Sequence, residues 1–489
     1  MRGATQGTSR KVAWALGCVL VAVAVYLPSL AASFQFDDWG VIVADARVSS
    51  LAAWFSSMPG IRPLLKFTYA LNNELGGSPA GFRSLNIAVH ALNTLLVYGL
   101  LYTLGSQQHR DPTLVRTAAL TATLIFALHP VQTEAVTYIS GRSTSLAATF
   151  ALSSLLVWAQ TVEATQPMPG RLLSLALFAL GLAVKETVLV LPLALLLWRA
   201  VTGPQGAAAQ RAPLVLRRRA TVVAQIGPHA ALAGAALLIA ATWQPYQRLL
   251  ATSWQLRGIG SNLLTQADAI IWLVGQLLCL APVNPDPALN VANTSSVSSW
   301  SHAALVAAAI IAGVWLLRRR PALAFGVLWF LLWLLPTNSV LPRLDVVNDR
   351  QLYLALIGPA WLAGLALARA AQGSKRAAAR HPGVVLGLAL TALIGALTGL
   401  TMRQNRLYAD EVTFWQAVAQ RSPQSARAAD NLGFAYAMAC RQSDAAREFE
   451  RALRLDPRNV RARVNARLLQ EGALSATSGP RDCAQSTPN

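Results

Sequence analysis

Residues 12–32 read VAWALGCVLVAVAVYLPSLAA, an apolar run long enough to cross a lipid bilayer as one helix. The apolar segments of the chain lie at 12–32, 84–104, 117–130, 144–160, 171–185, 187–200, 221–243, 263–282, 301–317, 322–341, 352–370 and 383–402. Of the 489 residues, 54% are hydrophobic and only 13% are charged, which is not typical of soluble domains. The sequence therefore predicts an all-α polytopic membrane protein.

The first apolar run follows Arg2, Arg10 and Lys11, so a cleaved signal peptide is an alternative interpretation. The run is longer than the apolar part of a signal peptide. We therefore interpret it as a membrane anchor.

The number of crossings depends on where the basic residues lie. Twelve crossings would leave Arg318, Arg319, Arg320 and the basic group at 369–380 outside the cell, against the positive-inside bias. Segment 263–282 carries polar residues and ends in a proline-rich run, which favours a re-entrant or interfacial helix. About 11 transmembrane helices then remain. The prediction is a bacterial plasma membrane protein with a cytoplasmic N-terminus, whose connections 33–83, 131–143, 244–300 and 342–351 face outside.

A net charge of +20 would suggest nucleic acid as the partner of a soluble protein. Here the basic residues lie mostly in short loops between apolar segments, as at Arg217, Arg218 and Arg219. This pattern indicates membrane orientation, with membrane lipid as the partner and no nucleic acid. A glycine-rich nucleotide loop is also missing from the sequence, which disfavours a nucleotide-sugar donor.

The C-terminal part is different in character. Residues 426–459 match one tetratricopeptide (TPR) repeat, of about 34 residues. The matching positions are Leu432, Gly433, Tyr436, Ala445, Phe449, Ala452 and Pro457. We predict a transmembrane domain at 1–402, a TPR α-hairpin module at 403–470 on the extracytoplasmic face, and a disordered tail at 471–489. In that compartment Cys440 and Cys483 could form a disulfide.

Two adjacent carboxylates, Asp37 and Asp38, follow the first apolar run within the aromatic sequence FQFDDW. Paired carboxylates at a membrane surface can act as a general base, as ligands of a divalent metal ion, or as both. The alternative is a solvated loop whose aspartates cap a helix. The sequence assigns no metal site, because the cysteines have no metal-ligand spacing and His90 and His129 are interpreted as hydrogen-bonded packing residues.

Further motifs accompany this pair. They are Arg62-Pro63-Leu64-Leu65-Lys66, residues 81–86 (GFRSLN), residues 129–136 (HPVQTEAV), residues 140–143 (SGRS), Lys185-Glu186, residues 335–338 (LPTN) and residues 348–354 (NDRQLYL). With these motifs the chain, over about residues 12–460, resembles the transmembrane-and-TPR-containing protein O-mannosyltransferases and their bacterial relatives in the GT-C glycosyltransferase superfamily.

The resemblance implies a GT-C-like bundle with its catalytic site in the outer loop 33–83. It implies that Asp37 deprotonates the acceptor hydroxyl, whereas Asp38 assists or binds the acceptor. The donor would be a sugar linked to polyprenyl phosphate, and the acceptor a protein or a cell-envelope glycan, bound in part through the TPR module.

Transfer from a lipid-linked donor needs cations on the departing phosphate. We predict donor-phosphate contacts from five cationic residues: Arg62, Lys66, Arg142, Lys185 and Arg350. Substrate contacts are predicted from Glu134, Glu186 and Tyr353. Arg62 and Lys66 could instead reach lipid headgroups, and Lys185 could simply pair with Glu186.

The leading hypothesis is therefore a membrane glycosyltransferase that acts in protein glycosylation, with O-mannosylation as the nearest model. The alternative is a non-catalytic membrane scaffold whose TPR module recruits a partner for envelope assembly. A scaffold should tolerate loss of the Asp37 and Asp38 pair. A transporter is disfavoured, because the apolar segments contain no evident internal repeat.

Overall fold

The computed structural model describes residues 2–58, 60–161, 168–203, 215–376 and 382–476, and these contain helices and turns but no β-strand. In the first half the helices are α1 (Arg2–Tyr26), α2 (Leu51–Ser56), α3 (Pro63–Glu74), α4 (Pro79–Gln108), α5 (Pro112–Leu128), α6 (Thr133–Val136), α7 (Arg142–Thr161), α8 (Met168–Val184), α9 (Leu191–Thr202) and α10 (Val215–Thr242). The second half contains α11 (Gln244–Leu256), α12 (Ile259–Leu277), α13 (Val297–Leu316), α14 (Pro321–Leu334), α15 (Leu352–Ala355), α16 (Ile357–Arg376), α17 (Pro382–Arg406), α18 (Glu411–Arg421), α19 (Ala426–Met438), α20 (Gln442–Leu455), α21 (Val460–Gln470) and α22 (Ala473–Ala476). The predicted all-α class is confirmed.

Several helices have the length and composition of membrane spans. Four qualify as single helices: Ala13–Ala31, Pro79–Gln108, Ala224–Thr242 and Val297–Leu316. Two bent pairs raise this number to six within the described residues, and Met168–Val184 and Pro321–Leu334 are shorter apolar helices. The chain thus has the helices of a multi-pass membrane protein, whereas the count of eleven crossings stays a prediction. So does the re-entrant character of segment 263–282, whose residues 263–277 lie in the continuous helix α12.

The two bent helix pairs supply residues of the candidate active site. After α5, His129 adopts an extended conformation before Pro130, as residues before proline prefer, and the chain resumes at Pro130–Val136 with a bend of 52°. The second pair, Asp349–Ala355 and Ile357–Gln372, bends by 55°. Gly358, just after this bend, packs against the Gly326 carbonyl with no room for a Cβ atom. Both bends therefore bring short polar helical segments back towards the bundle.

The helix bundle has a packed apolar core. Its largest side chains include four fully buried tryptophans, Trp158, Trp198, Trp329 and Trp361. The indole of Trp329 donates a hydrogen bond of 2.8 Å to the carbonyl of Leu354, so α14 is tied to the bent segment α15. Buried indole N–H groups usually have such a partner.

Helices α18 to α21 follow the last long helix of the bundle. Asp410 and Ser425 cap the N-termini of α18 and α19 with their side chains. Gly433 in α19 lies so close to the Phe449 ring of α20 that an added Cβ atom would be 2.7 Å from it. Small residues that allow this approach are what the repeat pattern requires, although the TPR assignment itself stays a prediction.

The structure describes the first residues of the predicted tail, 471–476. Residues 473–476 form α22, and Leu474 is only 4% exposed because it packs on the apolar core of the C-terminal helices. The rest of the predicted tail, residues 477–489 with Cys483, lies outside the described residues, as does Arg380. Cys440 is disulfide-bonded, whereas Cys18 and Cys279 are free thiols.

Candidate active site

The loop that follows the first apolar helix is held in place by Asp38. Its carboxylate is fully buried and accepts hydrogen bonds from the backbone N–H of Gln35 at 3.0 Å and of Ser140 at 2.9 Å. The Ser140 hydroxyl also donates to it. Burial raises the pKa of Asp38 to about 6, although these hydrogen bonds and the charge of Arg83 oppose the shift. Asp38 thus fastens the loop to the turn before α7.

We expect a measurable pH signature from this buried acid. With a folded-state pKa of about 6 against an ordinary 3.8, Asp38 holds its proton longer in the folded than in the unfolded chain. Its contribution to stability therefore falls as the pH rises from about 4 to about 6, by on the order of 3 kcal/mol. Unfolding in detergent at pH 4 to 7 should show this slope for the wild type and a flatter profile for Asp38→Asn. Parallel profiles would contradict it, and Glu450→Gln, at an exposed acid, is the control.

Asp37 differs from its neighbour because its carboxylate is open. The residue is partly buried, and its backbone N–H donates to the Tyr138 hydroxyl at 3.0 Å. The Asp37 carboxylate has no hydrogen bond or ion pair to any described residue, although its charge acts on both Tyr138 and Arg350. Burial raises the pKa of Tyr138 well above its usual range, so the phenol is neutral. The Asp37 carboxylate is thus left without a protein partner among the described residues.

Arg350 and Glu134 form an ion pair beside Asp37, with Nε of the arginine 2.8 Å from Oε1 of the glutamate. The backbone N–H of Arg350 donates to Oε2 of the same carboxylate at 3.1 Å. The guanidinium carbon lies 5.4 Å from the centre of the Tyr138 ring. The two bent helix pairs supply these residues, Glu134 from the first and Arg350 from the second.

A cavity of about 40 Å³ lies between these groups and the C-terminal helices. Its walls include Phe36, Glu134, Tyr138, Pro285, Asp286, Asp345, Val347, Asn348, Arg350, Tyr408, Phe414, Trp415 and Arg427. Arg427 pairs with both Asp286 and Asp345 across it. This volume suits water or a single hydroxyl-bearing group rather than a whole sugar.

Further basic side chains lie near Arg350. Arg62 pairs with Glu186, with Nη2 2.8 Å from Oε2, and the Tyr246 hydroxyl donates to the same carboxylate at 2.8 Å. Lys185 donates to the Thr144 hydroxyl at 2.6 Å. The alternative of a direct Lys185–Glu186 pair is therefore not observed.

Arg343 is a member of this group that the sequence analysis missed. Its Nη1 atom is buried without a hydrogen-bond partner. Burial and the nearby Arg350 lower its pKa to about 10, so it still carries its charge at neutral pH. Burial and the charges of Arg62, Arg350 and Arg343 lower the pKa of Lys185 well below its usual range. For Arg343, the available signal was its position in the short connection 342–351, which is predicted to face outside and also carries Arg350.

Three other predicted site residues have hydrogen-bond or ion-pair partners outside the group of Arg62, Lys185, Arg343 and Arg350. Lys66 pairs with Asp45 at 3.3 Å. Arg142 is fully buried, and its three nitrogens donate to Asn86, Thr68 and Phe82. Tyr353 lies in the bundle core, where its hydroxyl accepts a hydrogen bond from Asn93 at 3.0 Å and lies 2.8 Å from a ring nitrogen of His90. The polar atoms of all three side chains thus have protein partners, and their predicted roles at the site stay predictions.

The described residues contain no group of three or more His, Cys, Asp or Glu side chains that could hold a metal ion. A divalent metal ion therefore stays a hypothesis from the sequence, and no step below depends on it.

The fold and the site together define a helical membrane protein with one open carboxylate and a cluster of cations in its loops. The relatives found by sequence comparison agree with this class. The chain is 30% identical over 213 residues to protein O-mannosyl-transferase Tmtc2 of Drosophila melanogaster, which is 39% of this chain and 22% of that protein. It is 34% identical over 171 residues to protein O-mannosyl-transferase TMTC4 of Mus musculus, 31% of this chain and 21% of the relative. The expected resemblance to this family is confirmed for the matched part.

The matched part spans about a fifth of the length of these relatives. No family model matches the chain. Among solved structures, the oligosaccharyltransferase AglB from Archaeoglobus fulgidus, in complex with an inhibitory peptide and a dolichol-phosphate, is similar with a TM-score of 0.45 and 13% identity, over 80% of this chain and 56% of that one.

Proposed function

We propose that this protein is a membrane glycosyltransferase of the GT-C type that takes a sugar, with mannose as the first candidate, from a polyprenyl-phosphate donor. The acceptor would be a protein or a cell-envelope glycan on the extracytoplasmic face. The main support is the contrast between the open Asp37 carboxylate and the nearby basic side chains Lys185 and Arg343, which lack carboxylate partners among the described residues.

In the proposed reaction the acceptor oxygen attacks the anomeric carbon of the sugar. Asp37 takes the proton of the acceptor hydroxyl as the new carbon–oxygen bond forms. The bond between the anomeric carbon and the phosphate oxygen breaks, and its electron pair leaves with the polyprenyl phosphate. Lys185, Arg343 and Arg62 would stabilise the leaving phosphate. Asp37 then returns the proton to water.

The other acids have orienting roles in this scheme. Glu134 holds Arg350 beside Asp37, and Glu186 holds Arg62 towards the cation group. Asp38 keeps the loop of Asp37 in place rather than reacting itself. In this scheme Glu134 and Glu186 orient the two arginines, in place of the direct substrate contacts predicted from the sequence.

The proposal is tested with the purified full-length protein in proteoliposomes. Polyprenyl-phosphate [³H]mannose is the donor, and envelope extract from cells that lack the protein is the acceptor. Transfer of label with release of polyprenyl phosphate is the expected result. A non-catalytic scaffold would give neither transfer of label nor release of polyprenyl phosphate. Transfer from a polyprenyl-phosphate donor that carries a different sugar would correct only the assignment of mannose.

Membrane orientation gives a separate prediction. With eleven crossings the segment after residue 403 lies outside, and the disulfide at Cys440 supports an oxidising compartment for this module. Alkaline phosphatase fused after residue 403 should be active, and green fluorescent protein at the same point should be dark. Fusions after Arg320 should give the opposite pattern. A fluorescent fusion at 403 would overturn the orientation.

A further inference from the structure

The C-terminal helices hold the loop that carries Asp37. Oε1 of Glu411, the first residue of α18, accepts hydrogen bonds from the Phe36 backbone N–H and from the Trp39 indole N–H, each at 3.0 Å. The backbone N–H of Ser33 donates to the Ala409 carbonyl at 3.1 Å. Glu411 thus has partners on both sides of Asp37 in the sequence.

Phe36 has a strained backbone that needs such support. Its φ of 41° lies in the left-handed region, which is unfavourable for an aromatic residue and persists only where surrounding contacts impose it. The Phe36 ring packs edge-on against Trp415 of α18, with ring centres 5.2 Å apart. One C-terminal helix therefore fixes both the backbone and the side chain of the residue before Asp37.

We infer that Glu411 is a positioning residue, which acts through Phe36 and Trp39 to hold the Asp37 carboxylate near Tyr138 and Arg350. The C-terminal module is then part of the active site, in addition to any role in partner binding. This inference rests on the proposed function of Asp37 as the base.

The geometry predicts a specific kinetic pattern. Glu411→Ala removes the acceptor of two hydrogen bonds, whereas Asp410 still caps α18. The donor-phosphate cations do not touch Glu411, so we expect kcat to fall at least about tenfold while the donor KM stays within about twofold. Glu411→Gln keeps an oxygen acceptor and should restore most of kcat.

Hydrogen–deuterium exchange tests the same contact without an activity assay. Peptides covering residues 33–43 should exchange faster in Glu411→Ala than in the wild type. Trp39→Phe removes only one donor and should give a smaller increase, which keeps the test available if Glu411→Ala folds poorly. Glu450→Ala, at an exposed acid on α20, is the matched control and should change neither kcat nor exchange.

Two failures can be told apart. An inactive Asp37→Asn variant together with wild-type kcat in well-folded Glu411→Ala would overturn the positioning role alone. Full activity of Asp37→Asn would overturn the proposed base, and unchanged exchange in Glu411→Ala would then overturn the structural contact as well.

Discussion

Asp37→Asn is expected to lower the rate of sugar transfer by roughly 10²- to 10⁴-fold, the usual effect of losing one positioned base. The structure supports a selective effect, because the Asp37 carboxylate has no partner among the described residues whose loss would unfold the loop. The fold-holding contacts belong to Asp38 instead. Initial rates of label transfer in proteoliposomes, with expression and thermal stability measured beside them, provide the comparison.

Glu74→Gln is the matched control for this variant, since Glu74 is an exposed acid in the same connection, 33–83. It should leave the transfer rate near that of the wild type. A fully active, well-folded Asp37→Asn protein would mean that the base lies elsewhere, and an unfolded one would assign Asp37 to stability. Asp38→Asn, unlike Glu74→Gln and Asp37→Asn, is expected to change how the stability of the protein depends on pH.

Lys185→Met and Arg343→Met are each expected to weaken donor binding by about 1.5 to 3 kcal/mol, the usual contribution of a hydrogen bond to a charged group. This corresponds to roughly 10- to 150-fold in the dissociation constant of polyprenyl phosphate. Both side chains lack a carboxylate partner, so their removal does not leave an unpaired acid behind. Titration of the purified variants with polyprenyl phosphate measures the change.

Arg62 needs a different design, because it pairs with Glu186. Arg62→Met would leave a partly buried carboxylate with only Tyr246, and we expect lower stability for that reason. The double variant Arg62→Met, Glu186→Leu removes both charges and should recover folding but not donor affinity. Arg47→Met, an exposed arginine of the same loop, is the control for loss of a positive charge. Unchanged affinity in folded Lys185→Met and Arg343→Met proteins would remove both residues from the donor site.

The sequence by itself determined the apolar helices of the bundle. Each predicted apolar segment is helical over most of its length, although the helices in 263–282 and 322–341 end at Leu277 and Leu334. Hydropathy and length are local properties that do not depend on distant contacts. The Asp37 and Asp38 pair was also located by its position directly after the first apolar helix.

Only the tertiary structure decided which of the two acids is open and which is bound. Asp38 meets Ser140, about a hundred positions later in the chain, whereas Asp37 does not. Likewise Glu186 pairs with Arg62 rather than with its neighbour Lys185. Arg343 is buried near these basic side chains, and Glu411 accepts a hydrogen bond from the Phe36 backbone. The physical reason is that hydrogen bonds and ion pairs form over about 3 Å in space, so the partner of a charged side chain depends on how distant segments pack rather than on its neighbours in sequence.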